Sequence, residues 1–351
     1  MKILITDFLF PYGHKYLNVN VIRAVAKFAE VEVVSLNGYY DDLKESFDNE
    51  HIILIPINVE RKSGHINTRK YSLSLIKATS QILKVNSYDA VICLTFETVS
   101  FGIGINYFQY KKTPLIVFQH NNIDELTSSI KKTIFNSYKN KIYHAVFEEC
   151  FASKLITDMG ISEKRVFIIP HIAKEVNKFT KAKKYDCVGL SRSNDENFID
   201  EALKKESIFK LNNLHIILRS KTINKQDGNV VVINGFMDKD KYDELLDSST
   251  MIFVPLPKTY KYRLSGSIYD AFSRRKVVLT TSEFHVKEYQ KYYPGICFFV
   301  SSIDDLINVL KKKYKVDEEV KSFNKFLEDH SLENTSKLLE AMLRKIKQSH
   351  C

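Results

Sequence analysis

The stretch MIFVPLPKTYKYRLSGSIYDAFSRRKVVLTTS (251–282) holds the residues whose types and spacing best suit chemistry. An apolar strand run leads into a proline-containing loop with Lys258, Lys261 and Arg263, and then Ser265, Gly266 and Ser267 open a helix. The first N–H groups of a helix have no intrahelical partner, and the helix dipole favours negative charge beside them. Gly266 presents no Cβ to an approaching anion. The combination suits a diphosphate. The same residues also fit an N-capped helix behind a solvated basic loop.

A second candidate is PLIVFQHNNIDEL (114–126), where His120 ends a strand run and Asn121, Asn122 and Asp124 follow. Open α/β sheets bind ligands outside the carboxyl ends of their strands. A histidine there can donate to sugar or phosphate oxygens. Alternatively, Asn122 caps the next helix and His120 does no chemistry. Glu97 closes another strand run, VICLTFE, in the same manner.

Such residues need elements to position them, and the apolar patterning supplies these. Strand runs at 2–8, 31–37, 51–58, 88–96, 114–120 and 143–149 alternate with helical stretches near 19–29, 71–86, 97–110 and 123–140. Several strands are apolar throughout, which marks a parallel sheet covered on both faces. The order predicts a doubly wound α/β sheet. A second series has strand runs at 185–190, 214–220, 229–236, 251–256, 277–282 and 296–301. Two Rossmann-like domains in tandem are therefore expected, residues 1–172 and 173–331, joined through Pro170 and the basic segment 174–184. Helices are expected near 302–315, 318–330 and 332–348, and the C-terminal one (332–351) has Leu332, Leu338, Leu339, Met342, Leu343 and Ile346 on one face. That face must pack on something, and a return to the first domain would cover it.

A chain of 351 residues, 44% of them apolar, can build two cores. The five cysteines are scattered without metal-ligand spacing, as expected of buried, reduced thiols in a cytosolic protein. The N-terminus begins directly with a strand run and does not read as a signal peptide. No run of about 18 apolar residues suggests a transmembrane helix. The net charge is +10, but lysines are mixed with glutamate and aspartate over helix faces. A solvated surface accounts for most of that charge, and no nucleic-acid reader motif is present. Asp238-Lys239-Asp240 has the look of a metal motif, yet it sits at a helix start, where aspartates cap; no metal is expected. No glycine-rich dinucleotide fingerprint follows the first strand, which argues against a nicotinamide cofactor. Lys131, Lys132, Lys139 and Lys141 lie among Ile, Phe and Tyr in 123–147. Such a helix can lie on an anionic membrane surface, or pack on a core with its charges outward.

The segment 251–282 resembles the nucleotide-sugar-binding stretch of GT-B glycosyltransferases, especially the retaining family 4. Asp270-Ala271-Phe272 followed by Arg274-Arg275-Lys276-Val277-Val278 matches its second half. Asp270 stands where the family has a glutamate on the nucleotide ribose, and Tyr262 stands where it has another glutamate on the donor sugar. HAVFEECFASKLITDMGISEKRVFIIPHIA (144–173), YDCVGLSR (185–192) and NGFMDKDKYDELLDSSTMIFVPL (234–256) resemble further blocks of these enzymes.

The resemblance implies a cleft between two domains, with a UDP-sugar favoured as donor. Its diphosphate would meet Gly189, Arg192, Lys261, Arg263, Ser265, Gly266 and Ser267, and its ribose Asp270. The family pairs its arginine after the glycine with a lysine, and no lysine stands at that spacing here. His120 would line the cleft near the transferred sugar. His14, Lys15, Glu97, Asn121 and Asn122 are candidates for an acceptor glycan or lipid-linked glycan, as in surface polysaccharide synthesis. The nucleotide-sugar is then a substrate, no cofactor is implied, and peripheral docking on the inner face of a membrane is compatible. The missing glutamate and diphosphate lysine keep open a non-catalytic accessory protein of the same fold, and a sugar-nucleotide epimerase shares the fold and ligand but needs no acceptor.

Overall fold

Two parallel sheets organise the chain in the computed structural model, which describes residues 1–8, 15–59, 65–173, 176, 183–235, 237–312 and 320–350. The chain forms two compact units: unit 1 is Met1–Ile172 with Leu332–Cys351, and unit 2 is Ala173–Ser331.

Unit 1 contains β1 (Lys2–Asp7), β2 (Glu30–Leu36), β3 (Ile52–Ile57), β4 (Ala90–Thr95), β5 (Leu115–Phe118), β6 (Tyr143–Val146) and β7 (Val166–Ile168). They lie in the order β3-β2-β1-β4-β5-β6-β7, each pairing parallel. The order reverses between β1 and β4, the switch point at which such sheets bind ligands. β4, β5 and β6 are buried at every position, as apolar runs covered on both faces require. The helix Leu332–His350 belongs to this unit: Leu339, Met342, Leu343 and Ile346 are buried, and Ser336 Oγ donates to Ala24 O at 2.7 Å. Leu338, assigned to the same face from sequence, is 37% exposed.

Unit 2 contains β8 (Tyr185–Gly189), β9 (Ile216–Ser220), β10 (Val230–Asn234), β11 (Ser249–Val254), β12 (Val278–Thr280) and β13 (Cys297–Phe299). The order is β10-β9-β8-β11-β12-β13, again parallel, with its switch point between β8 and β11. Both units are thus Rossmann-like α/β folds.

Local chemistry explains where elements depart from the patterning. β11 ends at Val254, two residues before the expected end, because Pro255 has no N–H to donate to a ladder. β10 stops at Asn234, and Gly235 follows with φ 95°. The helix expected over 97–110 yields at Gly104 to a 3-10 turn, Ile105–Phe108, closed by a left-handed Gln109 (φ 52°). The segment 123–140 divides into Asn122–Glu125 and Ser129–Tyr138. Phe135 and Tyr138 of the second helix are buried in unit 1, and Lys131 pairs with Glu125 at 2.6 Å. Asp238 caps the helix Lys239–Asp247 by accepting from Lys241 N at 2.8 Å, the capping role read from its position. Cys93, Cys187 and Cys297 are buried free thiols. Among the described residues no helix is long and apolar enough to cross a membrane.

One buried cation makes stability depend on pH. Lys276 is 5% exposed, and its Nζ donates to Asp247 O at 3.1 Å and to Ser249 O. Burial, and then the neighbouring charge of Lys183, push its pKa from 10.5 down to about 7. The folded chain therefore binds fewer protons at this site than the unfolded chain between about 7 and 10.5. Stability from this group is lowest below that window and rises with pH through it. Discounted for solvent screening, the gain is roughly 2–4 kcal/mol. Lys276→Met removes the titration. Urea unfolding across the window should show wild type gaining on the variant as pH rises; a constant difference would exclude the effect.

Candidate functional site

In unit 2 the residues converge on the carboxyl edge around the switch point. Gly189 ends β8, and a Cβ there would stand 2.8 Å from Phe253 O and 3.0 Å from a Leu218 methyl. The glycine is demanded by the close approach of β11. Asn194 ties the strand ends together, donating from Nδ2 to Gly189 O at 2.8 Å and to Arg219 O at 2.9 Å. Its Oδ1 is buried with no hydrogen-bond partner among the described residues.

Arg192 is exposed on the loop after β8. Arg219, near the end of β9, is half-buried, and its Nη2 donates to Gly235 O at 2.7 Å. Burial, and then the like charge of Arg192, hold the Arg219 pKa below the ordinary guanidinium value. Two guanidinium groups therefore share one edge of the sheet, in the electrostatic setting an anion would relieve.

The helix Gly266–Ser273 lies beside them. Ser265 occupies its N-cap position with no side-chain capping bond. Among the described residues a Cβ on Gly266 would meet nothing within 4 Å, so no described atom at that distance demands a glycine here, in contrast to Gly189. Tyr242 joins this helix to the arginines. Its hydroxyl donates to Asp270 Oδ2 at 2.9 Å, it bonds the Ser267 side chain, and it lies near Arg219. Burial raises the Asp270 pKa above the ordinary carboxylate value, opposed by the Tyr242 bond and by Arg274. The inner face of the helix is anchored by Tyr269 and Phe272, whose rings meet Phe326 edge-on at 5.4 and 4.9 Å.

Gly189, Arg192, Ser267 and Asp270 are thus brought together, with Arg219 and Tyr242 added. The basic loop has contacts of its own. Arg263 lies over the Tyr260 ring at 5.1 Å and its carbonyl accepts from His285 Nε2 at 3.2 Å; Tyr262 packs edge-on to Phe284 at 5.4 Å. Lys261 is exposed on the same loop.

In unit 1 the switch point centres on Asp7, 2% exposed at the end of β1. It accepts from Asn18 Nδ2 at 2.7 Å, from the Tyr40 hydroxyl at 2.9 Å and from the Thr95 hydroxyl. His120, 6% exposed beyond β5, packs edge-on to Phe147 at 5.0 Å. Asn122 is buried and donates to Phe96 O at 3.3 Å and Thr98 Oγ1 at 3.2 Å, so it joins the ends of β4 and β5 and does not cap a helix with its side chain. Asn121 takes that N-cap position, also without a side-chain bond. Glu97 is the N-cap of Thr98–Gly104, accepting from Ser100 N at 2.8 Å. Lys15 pairs with Asp42 and lies over the Tyr39 ring at 5.4 Å. His14 lies outside the described residues. Among the described residues no cluster of His, Cys, Asp and Glu could hold a metal ion.

The sequence reading missed Arg219, Tyr242 and Asp7. Arg219 had a signal, since it is the one charged side chain inside the apolar run IILRS. Asp7 closes β1 in the same way. Tyr242 had none, because its role arises only where two helices meet.

No protein-family model matches the sequence, and no curated protein matches it. Solved structures do. Anabaena Alr3699/HepE in complex with UDP aligns over 98% of this chain and 100% of its own, with a TM-score of 0.66 and 14% identity. A glycosyltransferase from Rickettsia africae aligns over 99% and 98%, with 0.63 and 13%. UDP-GlcNAc 2-epimerase from Methanocaldococcus jannaschii aligns over 97% and 100%, with 0.63 and 14%. At such identities the likeness speaks for architecture, and the chain has the GT-B fold of two Rossmann-like α/β domains.

Proposed function

We propose that the chain is a glycosyltransferase that takes its sugar from a nucleotide-sugar, with a UDP-sugar favoured. One observation carries the reading: Arg192 and Arg219 share the carboxyl edge of unit 2 with a helix start whose Gly266 faces open space. The diphosphate would lie against the arginines and the free N–H groups of 265–267. Asp270, held by Tyr242, would accept from the ribose hydroxyls. Unit 1 would hold the acceptor, a glycan or lipid-linked glycan, with His120 donating to a sugar or acceptor oxygen. An acceptor hydroxyl would attack the anomeric carbon as the bond to the diphosphate breaks. The cations and helix start would then stabilise the departing charge, which needs no metal. Surface polysaccharide synthesis on the cytoplasmic side of a membrane is the setting that fits such an acceptor.

A second reading, a sugar-nucleotide epimerase, is favoured by the likeness to the Methanocaldococcus jannaschii protein. It uses the same donor site and no acceptor. Product analysis separates the two: a covalently extended glycan means transfer, and an isomerised sugar nucleotide means epimerisation.

The donor site is tested by thermal shift. UDP and UDP-sugars should raise the melting temperature, since a ligand at a hundred times its Kd stabilises by about 2.7 kcal/mol. Gly266→Ala should leave the unliganded melting temperature unchanged, because the new methyl meets no chain atom within 4 Å. It should weaken UDP about ten-fold, because the methyl fills the space a phosphate needs. Undiminished UDP binding by this variant would remove the helix start from the site.

A further inference from the structure

A cavity of about 740 Å³ opens on unit 1 where the C-terminal half of the helix His65–Val85 faces the turn Ile105–Phe108 and residues 109–112. Those segments run directly into the starts of β4 and β5. The cavity therefore lies at the amino edge of the sheet, whereas Asp7, Glu97 and His120 lie at the carboxyl edge.

Its lining is one-sided in charge. Lys77, Lys84, Lys111 and Lys112 all contribute, and no carboxylate does. None of the four has an ion-pair partner among the described residues. Other lysines of the unit are divided: Lys131 pairs with Glu125 and Lys154 with Asp158, while Lys132 and Lys141 have no ion pair among the described residues, so it is the gathering of four in one concavity that sets these apart. Unmatched like charges in one concavity raise the local potential and draw anions. Lys77, Gln81 and Lys84 recur at helical spacing and share one stripe, with Lys111 and Lys112 on the facing turn.

The remaining groups define the anion. Tyr107, 41% exposed, and Tyr110 offer ring faces. Gln81, Asn106 and Gln109 offer amides that both donate and accept, which is what hydroxyl groups require. Gln109 is held in left-handed backbone (φ 52°), a conformation uncommon for a residue with a side chain. No aliphatic side chain lines the cavity, so an acyl chain finds nothing to enter. There is also no arginine, and no extended basic stripe of the kind that tracks a nucleic-acid backbone.

We propose that this cavity binds an acidic oligosaccharide, with lysines on its carboxylate or phosphate groups, amides on its hydroxyls and a tyrosine ring under a sugar face. Binding is measured on the full chain without a nucleotide-sugar, so it stands or falls independently of the donor site. The probe is an oligogalacturonate, with neutral dextran and oligothymidylate beside it, read by affinity electrophoresis and titration calorimetry. Wild type should bind oligogalacturonate and not dextran. The double variant K111E/K112E, on exposed positions with folding checked by circular dichroism, should bind about ten-fold more weakly or worse. Tyr107→Ala should weaken oligogalacturonate and leave any oligothymidylate retention unchanged. Failure of wild type to bind oligogalacturonate, unchanged binding by the double variant, or equal affinity for oligothymidylate would each overturn the proposal.

Discussion

Arg219→Met should weaken UDP binding by about ten- to a hundred-fold, the worth of one charge-assisted contact of about 1.5–3 kcal/mol. The fold should survive it. Arg219 makes one described bond, to Gly235 O at 2.7 Å, and faces the like charge of Arg192. Loss of either guanidinium relieves that repulsion, so neither Arg219→Met nor Arg192→Met should lower the unliganded melting temperature much. Both should lower affinity and flatten its salt dependence. Arg219→Lys keeps the charge but not the planar fork, and should recover affinity only in part. Calorimetry with UDP at fixed ionic strength checks each step. If Arg219→Met binds UDP as wild type does, the paired guanidiniums are not the diphosphate site.

Arg274→Met should act on stability, costing about 3–5 kcal/mol, the range for removing one partner of a buried ion pair. Arg274 is 6% exposed and meets Asp243 at 2.5 Å and Asp247, itself 4% exposed, at 2.9 Å. Without the guanidinium, Asp247 is a buried charge lacking its cation. Arg274 Nη1 also donates to Asp270 O at 3.2 Å, so the helix Gly266–Ser273 loses a brace. The Asp270 pKa, already raised by burial, loses a lowering charge and should rise further. Urea unfolding should show the large loss. Arg275→Met, at an exposed position whose Nη1 donates to Asn324, should cost within about 1 kcal/mol. Equal effects of the two substitutions would refute the buried network.

The two substitutions show why legibility differed between positions. Arg274 and Arg275 look alike in SRRKVV, and only burial separates them. Gly189 and Gly266 look alike as small residues at element ends. Gly189 is packed against Phe253, and Gly266 faces open space. Leu338 shares a helical face with Leu339 by spacing, yet one is exposed and the other buried.

What the amino-acid order determined by itself was the alternation of elements. Continuous apolar runs can be satisfied only by buried parallel strands, and the helical stretches between them can only cover their faces. That logic is local, so the alternation of strands and helices survived, with ends shifted at Pro255 and Gly235 and the stretches 97–110 and 123–140 each broken into two shorter pieces. The helix start at 265–267 was legible for the same reason, since helix ends announce themselves in a few residues. The pairing of Arg192 with Arg219, the bond of Tyr242 to Asp270, and the charge cavity joining Lys77 to Lys112 were decided only in three dimensions. Each unites side chains from different elements, and electrostatic and hydrogen-bonding energies depend on distances that no local pattern of residues encodes.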